Sequence, residues 1–137
     1  MPQIAISMTA LRHYRWALVW ALFILLLCLI PGYDLPKWKW AELFSVDKLV
    51  HAGVFAVLVI LLVRAVRSHH GEVDLRSRGI LLWIGACIAY GGALEIMQGT
   101  FFIQRTADLL DFIANGTGCL LGWWWLQRRE RQVSGGK

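Results

Sequence analysis

Four long apolar stretches, 16–30, 49–63, 79–97 and 109–126, dominate this chain. A helix needs about 20 mostly apolar residues to cross the hydrocarbon core of a bilayer, with about 17–25 tolerated. The third and fourth stretches meet that length. The second does so when Asp47, Lys48 and His51 are placed at a membrane boundary. The first is short and ends at Pro31-Gly32, with Tyr33–Leu35 as an irregular extension. The stretches do not alternate apolar with polar residues and are too long for strands, which excludes an all-β fold. Helices of a soluble bundle would show a charged face, and these do not. The expected fold is an all-α membrane protein, a bundle of four transmembrane helices. The 137 residues suffice for one domain. Only 17% of them are charged, against 58% hydrophobic. That balance excludes a disordered chain, a nucleic-acid-binding arm and a disulfide-stapled miniprotein. Cys28, Cys87 and Cys119 all lie in apolar stretches and read as small apolar residues.

The first stretch has the charged flank of a signal peptide in Arg12 and Arg15. It lacks the small-x-small cleavage pattern, and Cys28-Leu-Ile-Pro31 follows instead, so it reads as a retained helix. Orientation follows from the cations. Of the 14 Lys and Arg residues, ten fall on one side: Arg12 and Arg15, then Arg64, Arg67, Arg76 and Arg78, then Arg128, Arg129, Arg131 and Lys137. Lys37, Lys39, Lys48 and Arg105 fall on the other. Both termini are therefore expected in the cytoplasm. The net charge of +5 divides into about +7 inside and −2 outside by this positive-inside reading. The chain divides into a cytoplasmic segment 1–15, a transmembrane domain 16–126 and a basic cytoplasmic tail 127–137. Trp16, Trp83 and the run Trp123-Trp124-Trp125 fall near inner helix ends, where amphipathic indoles favour the interface. At least one of the run is expected to pack between helices.

Ionisable groups in or beside a membrane span are costly and mark functional candidates. Three sets occur here: Asp47, Lys48 and His51 at the start of the second helix; Glu95 and Gln98 at the end of the third; and Arg105, Asp108, Asp111 and Asn115 opening the fourth. Helical spacing puts each set on one face. Gly118 and Gly122 continue the face of Asp111 and Asn115, and Gly91 lies one turn before Glu95. Small residues let helix backbones approach closely, so these faces are expected to meet inside the bundle. All three sets fall on the outer side, with His51 and Asn115 deepest. Simpler roles compete. Asp47 is placed to cap the second helix, Asp108 to meet the positive end of the fourth, and Lys48 and Arg105 to pair with carboxylates. Glu95 follows a long apolar run and has no capping role at a helix C-terminus.

Two chemistries remain open. Lys48, His51 and Arg105 can engage a lipid phosphate, with the carboxylates orienting them. Alternatively His51, Glu95, Asp108 and Asp111 offer ligands to a divalent metal of unspecified identity. An intramembrane enzyme would use His51 or Glu95 as base. Transport would need polar residues in the inner halves, which the sequence does not supply. The expected partners are membrane lipids and a phosphorylated or lipid-linked component, with no nucleic acid.

The order Asp47-Lys48-x-x-His51, then Gly53 and Phe55, followed by Glu95-x-x-Gln98 and by Arg105, Asp108, Asp111, Asn115 and Gly118, resembles the two motifs of the VanZ-like family. The resemblance spans about residues 30–126. It implies a small multi-pass protein of the bacterial cytoplasmic membrane connected with the cell envelope. The namesake of the family confers tolerance to the glycopeptide teicoplanin, so a lipid-linked cell-wall precursor enters as an implied partner.

Overall fold

Inside an apolar solvent every backbone N–H and C=O must find a partner within the chain, and each apolar stretch accordingly forms a helix. A computed structural model describes residues 8–29, 40–101 and 108–136. They form four helices and, among the described residues, no strand: α1 (Met8–Cys28), α2 (Trp40–His70), α3 (Arg78–Phe101) and α4 (Leu109–Ser134). The helices outrun the apolar stretches, because hydropathy marks only the part of a helix that meets lipid. The largest difference is in α2, which begins at Trp40. Asp47 therefore lies within the helix and does not cap it. The Pro31-Gly32 break and Arg105 lie outside the described residues.

α1, α2 and α3 are long and apolar enough to cross a membrane. α4 is long enough at 26 residues, but Asp111, Asn115 and its glycines dilute its apolar character. The expectation of four clear spans is met by three on hydropathy. α4 nevertheless runs beside α2 for most of its length. Partners pair in rising order along both helices, from Lys48 with Asp111 and His51 with Asn115 to Arg67 with Glu130, so α2 and α4 are parallel. α1 is antiparallel to α2, pairing His13 with Ser68 and Trp20 with Val54. α3 is antiparallel to α4, with Gly91 against Asn115 and Gly92 against Phe112. The result is an up-down-up-down bundle. The start of α1 and the end of α4 lie at the same end.

The core is largely apolar, built on Ile24, Phe55, Val59, Val63, Ile80 and Leu94, with a few polar side chains enclosed in it, and the outer surface is apolar as well. Glu95, Gln98 and Asn115 are 5%, 5% and 1% exposed, while Leu18, Val19, Leu22 and Leu26 on α1 are each more than half exposed. α1 is fastened by side chains that bond backbone carbonyls across helices. Trp20 Nε1 donates to Val54 O at 2.9 Å, Tyr90 Oη to Ala21 O at 2.7 Å, and Gln98 Nε2 to Cys28 O at 3.2 Å. Interhelical hydrogen bonds of this kind are worth about 0.6 kcal/mol in a membrane bundle. Tyr90→Phe is expected to cost about that much, roughly 0.6 kcal/mol, in a detergent unfolding titration. It should leave the polar cluster described below unchanged. A cost near zero would place the bond outside the folded state.

The α2–α3 turn is held at the end that carries both described termini. Gly71 ends α2 with φ of +85°, and its N–H donates to Arg67 O at 2.8 Å. This left-handed helix stop favours glycine. Leu75 is buried, and its carbonyl accepts Trp123 Nε1 at 2.8 Å. Trp123 is thus the packed member of the tryptophan run. Trp124 and Trp125 stay exposed beneath the guanidinium groups of Arg128 and Arg129, respectively.

Candidate functional site

The site is assembled by the close approach of α2 and α4. A Cβ built on Gly118 would overlap the backbone of Ala52, and one on Gly122 would stand 2.6 Å from Ala56 O. Only glycine permits this spacing. It brings the start of α4 against the polar face of α2, while Gly91 admits Asn115 from α4 and Phe55 from α2 to the face of α3. The sequence places Gly118-x-x-x-Gly122 inside the bundle, and that is where it packs.

Lys48 lies between two carboxylates of α4. Its Nζ is 2.6 Å from Asp111 Oδ1 and 3.3 Å from Asp108 Oδ2. One turn deeper, His51 Nδ1 and Asn115 Oδ1 are 2.9 Å apart. The amide oxygen is an acceptor, so Nδ1 carries the proton in this pairing. His51 Nε2 then faces Asp47 Oδ1 at 3.8 Å, and Glu95 Oε1 approaches Nδ1 from α3 at 4.0 Å. Glu95 Oε2 accepts the backbone N–H of Asp108 at 3.4 Å. Every buried side-chain N or O among the described residues has a partner. Phe55, essentially inaccessible, packs with Asn115 against Gly91 on the apolar side of the cluster.

Most of the residues picked out in the sequence thus come together: Asp47, Lys48 and His51 from α2, Glu95 from α3, and Asp108, Asp111 and Asn115 from α4. Gln98 does not join them, since its amide turns to α1 and bonds Cys28 O. Arg105 lies outside the described residues. The sequence did not signal the roles of Trp20 and Tyr90, because an aromatic residue in an apolar run does not disclose which carbonyl its polar tip reaches.

Asp108 also caps α4: its Oδ1 accepts Leu110 N–H at 2.8 Å, and its backbone is extended. That N–H, with the Lys48 ammonium, holds the Asp108 carboxyl below its usual range against the opposing effect of partial burial. A carboxylate with a lowered folded pKa stabilises the fold above its unfolded pKa, and the contribution disappears as pH falls through the folded value. Asp108→Ala is therefore expected to cost about 1 kcal/mol at neutral pH. The gap from the unmodified chain should narrow in acid, read as melting temperatures in detergent at neutral and acidic pH. A gap independent of pH would assign the loss to packing.

Among the described residues, Asp47, His51 and Asp111 offer ligand atoms within 4.8 Å of one another, close enough to share one ion. This trio differs from the set expected from sequence: Asp47 joins, and Glu95 and Asp108 drop out. With Nδ1 engaged by Asn115, Nε2 remains as the donor of His51, the arrangement in which a second hydrogen bond orients a ligating imidazole.

An all-helical bundle with three helices long and apolar enough to cross a membrane has the architecture of a membrane protein, with a polar cluster contributed by three helices at one end. The family model described as VanZ/LLP1 matches residues 7–128, nearly the whole chain, and the protein belongs to that family. Comparisons with curated proteins and with solved structures return no match.

Proposed function

We propose that this protein is a four-span component of the bacterial cytoplasmic membrane with both termini in the cytoplasm, and that its outer cluster binds a phosphorylated or lipid-linked envelope component. The division into segments 1–15, 16–126 and 127–137 belongs to this reading. α4 forms the fourth span: its polar residues face α2 and α3, while Leu109, Ile113, Leu120 and Leu121 stay exposed on the side open to lipid. The up-down-up-down order and the cationic end carrying both described termini support the orientation. A reporter fused after Gly136 is expected to be active only in its cytoplasmic form, and periplasmic activity would overturn the topology.

The observation that carries the binding reading is the meeting of Lys48 and His51 with Asp108, Asp111 and Asn115 at the end of the bundle away from the termini. Carboxylates hold the Lys48 ammonium in place, and a phosphate arriving from the outer leaflet would compete for it, with Arg105 as the second cation. The reading extends to glycopeptide tolerance through restricted access to the bound component. Binding of a polyprenyl phosphate by purified protein and teicoplanin susceptibility of expressing cells test it together. Arg105→Ala is expected to weaken binding about tenfold, the worth of one charge-assisted hydrogen bond, and to lower tolerance. No change in either would overturn the reading.

The Asp47, His51 and Asp111 trio favours a second reading, a metal-assisted hydrolase or transferase acting on a lipid phosphate. It requires metal in elemental analysis of the purified protein and turnover of a lipid phosphate that Asp111→Asn abolishes.

A further inference from the structure

At the opposite end of the bundle, a cleft of about 530 Å³ opens between α1 and α2. Arg12 and Arg15 line it from α1, and Arg64 and Ser68 from α2. These pairs are spaced three and four residues apart, so each lies on one helical face. His13 Nδ1 and Ser68 Oγ, 2.6 Å apart, tie the two walls together. Trp16 and Leu61 supply an apolar side. Among the described residues no carboxylate lines the cleft and no ion pair engages its three guanidinium groups, of which that of Arg15 lies over the Trp16 ring at 5.3 Å. Arg67, one turn beyond Arg64 on the same helix, is by contrast paired with Glu130.

Three guanidinium groups with no carboxylate partner among the described residues, and a hydroxyl beside them, suit an oxyanion with several acceptor oxygens. We infer that the cleft binds a phosphate group at the cationic end of the bundle, independently of the outer cluster. An anionic phospholipid headgroup and a soluble phosphate share this chemistry. The apolar side formed by Trp16 and Leu61 suits the lipid, since basic pockets between membrane helices receive such headgroups.

The test compares the melting temperature of the purified full chain in neutral detergent with added phosphatidylglycerol, phosphatidylcholine or inorganic phosphate. One variant carries Arg12→Gln, Arg15→Gln and Arg64→Gln together. A control carries Arg78→Gln, Arg128→Gln and Arg131→Gln, removing the same charge from the same end. Phosphatidylglycerol is expected to stabilise the unmodified chain and the control. The cleft variant should need about tenfold more lipid for the same shift. Stabilisation by phosphatidylglycerol alone assigns a lipid headgroup, and equal stabilisation by inorganic phosphate assigns a soluble anion. Equal losses in both variants, or stabilisation by phosphatidylcholine alone, would overturn the inference. Circular dichroism of both variants establishes that they are folded before the comparison is made.

Discussion

Gly118→Ala is expected to destabilise the bundle by about 3 kcal/mol, at the upper end of the usual cost of overpacking. The new methyl group would meet the carbonyl oxygen, carbonyl carbon and Cα of Ala52, all of them backbone. No side chain can rotate aside, so α2 and α4 must separate. His51 and Asn115 lie at the same contact and would part with them, so loss of the outer cluster should accompany loss of stability. Gly116→Ala, two residues earlier on α4, is the internal control, because a Cβ there meets nothing within 4 Å. It should stabilise by up to about 1 kcal/mol through helix propensity. Gly122→Ala should fall between the two, its Cβ lying 2.6 Å from Ala56 O. Denaturant titration in micelles measures all three. Equal behaviour of Gly118→Ala and Gly116→Ala would mean that α2 and α4 do not approach this closely.

The same contact shows what could be read in the sequence. Apolar stretches announced four helices, and polar residues at helical spacing announced which faces meet. Gly118, Gly122 and Gly91 marked those faces because a helix tolerates such residues at little benefit unless another backbone comes close. Helix ends were less legible. α2 continues over 40–47 and 64–70, where Glu42, Asp47, Arg64, Arg67 and the His69-His70 pair interrupt the apolar run but the helix persists. The Asp47 cap failed for that reason, whereas the Asp108 cap succeeded because α4 does begin beside it. Gln98 was grouped with Glu95 by spacing alone. Spacing gives a face but not which neighbour a long amide reaches, and here the amide donates to Cys28 O on α1 at 3.2 Å.

Lys48→Met is expected to have the second large effect, and its rescue is more telling than the loss. The ammonium lies between Asp108 and Asp111, with Glu95 close behind through the Asp108 backbone. Removing it leaves neighbouring carboxylates partly withdrawn from water with less positive charge among them. The side chains are still partly exposed, Lys48 at 21%, Asp111 at 15% and Asp108 at 34%, so solvent screens part of the penalty. About 2 kcal/mol is a reasonable expectation for a pair between the exposed and buried limits. Asp111→Asn placed on the Lys48→Met chain should recover part of that loss, because it removes one of the repelling charges. Asp111→Asn alone should destabilise. The two single changes and the double change form a cycle whose coupling is expected at about 1–2 kcal/mol. Additive effects would mean that Lys48 extends to water and that the two helix ends meet for other reasons. The cycle also bears on the proposed ligand. If Lys48 is held in place for a phosphate, the double variant should regain stability without regaining polyprenyl phosphate binding, since the positive charge is still missing. Recovery of both together would place the binding determinant in the shape of the cluster and not in the Lys48 ammonium.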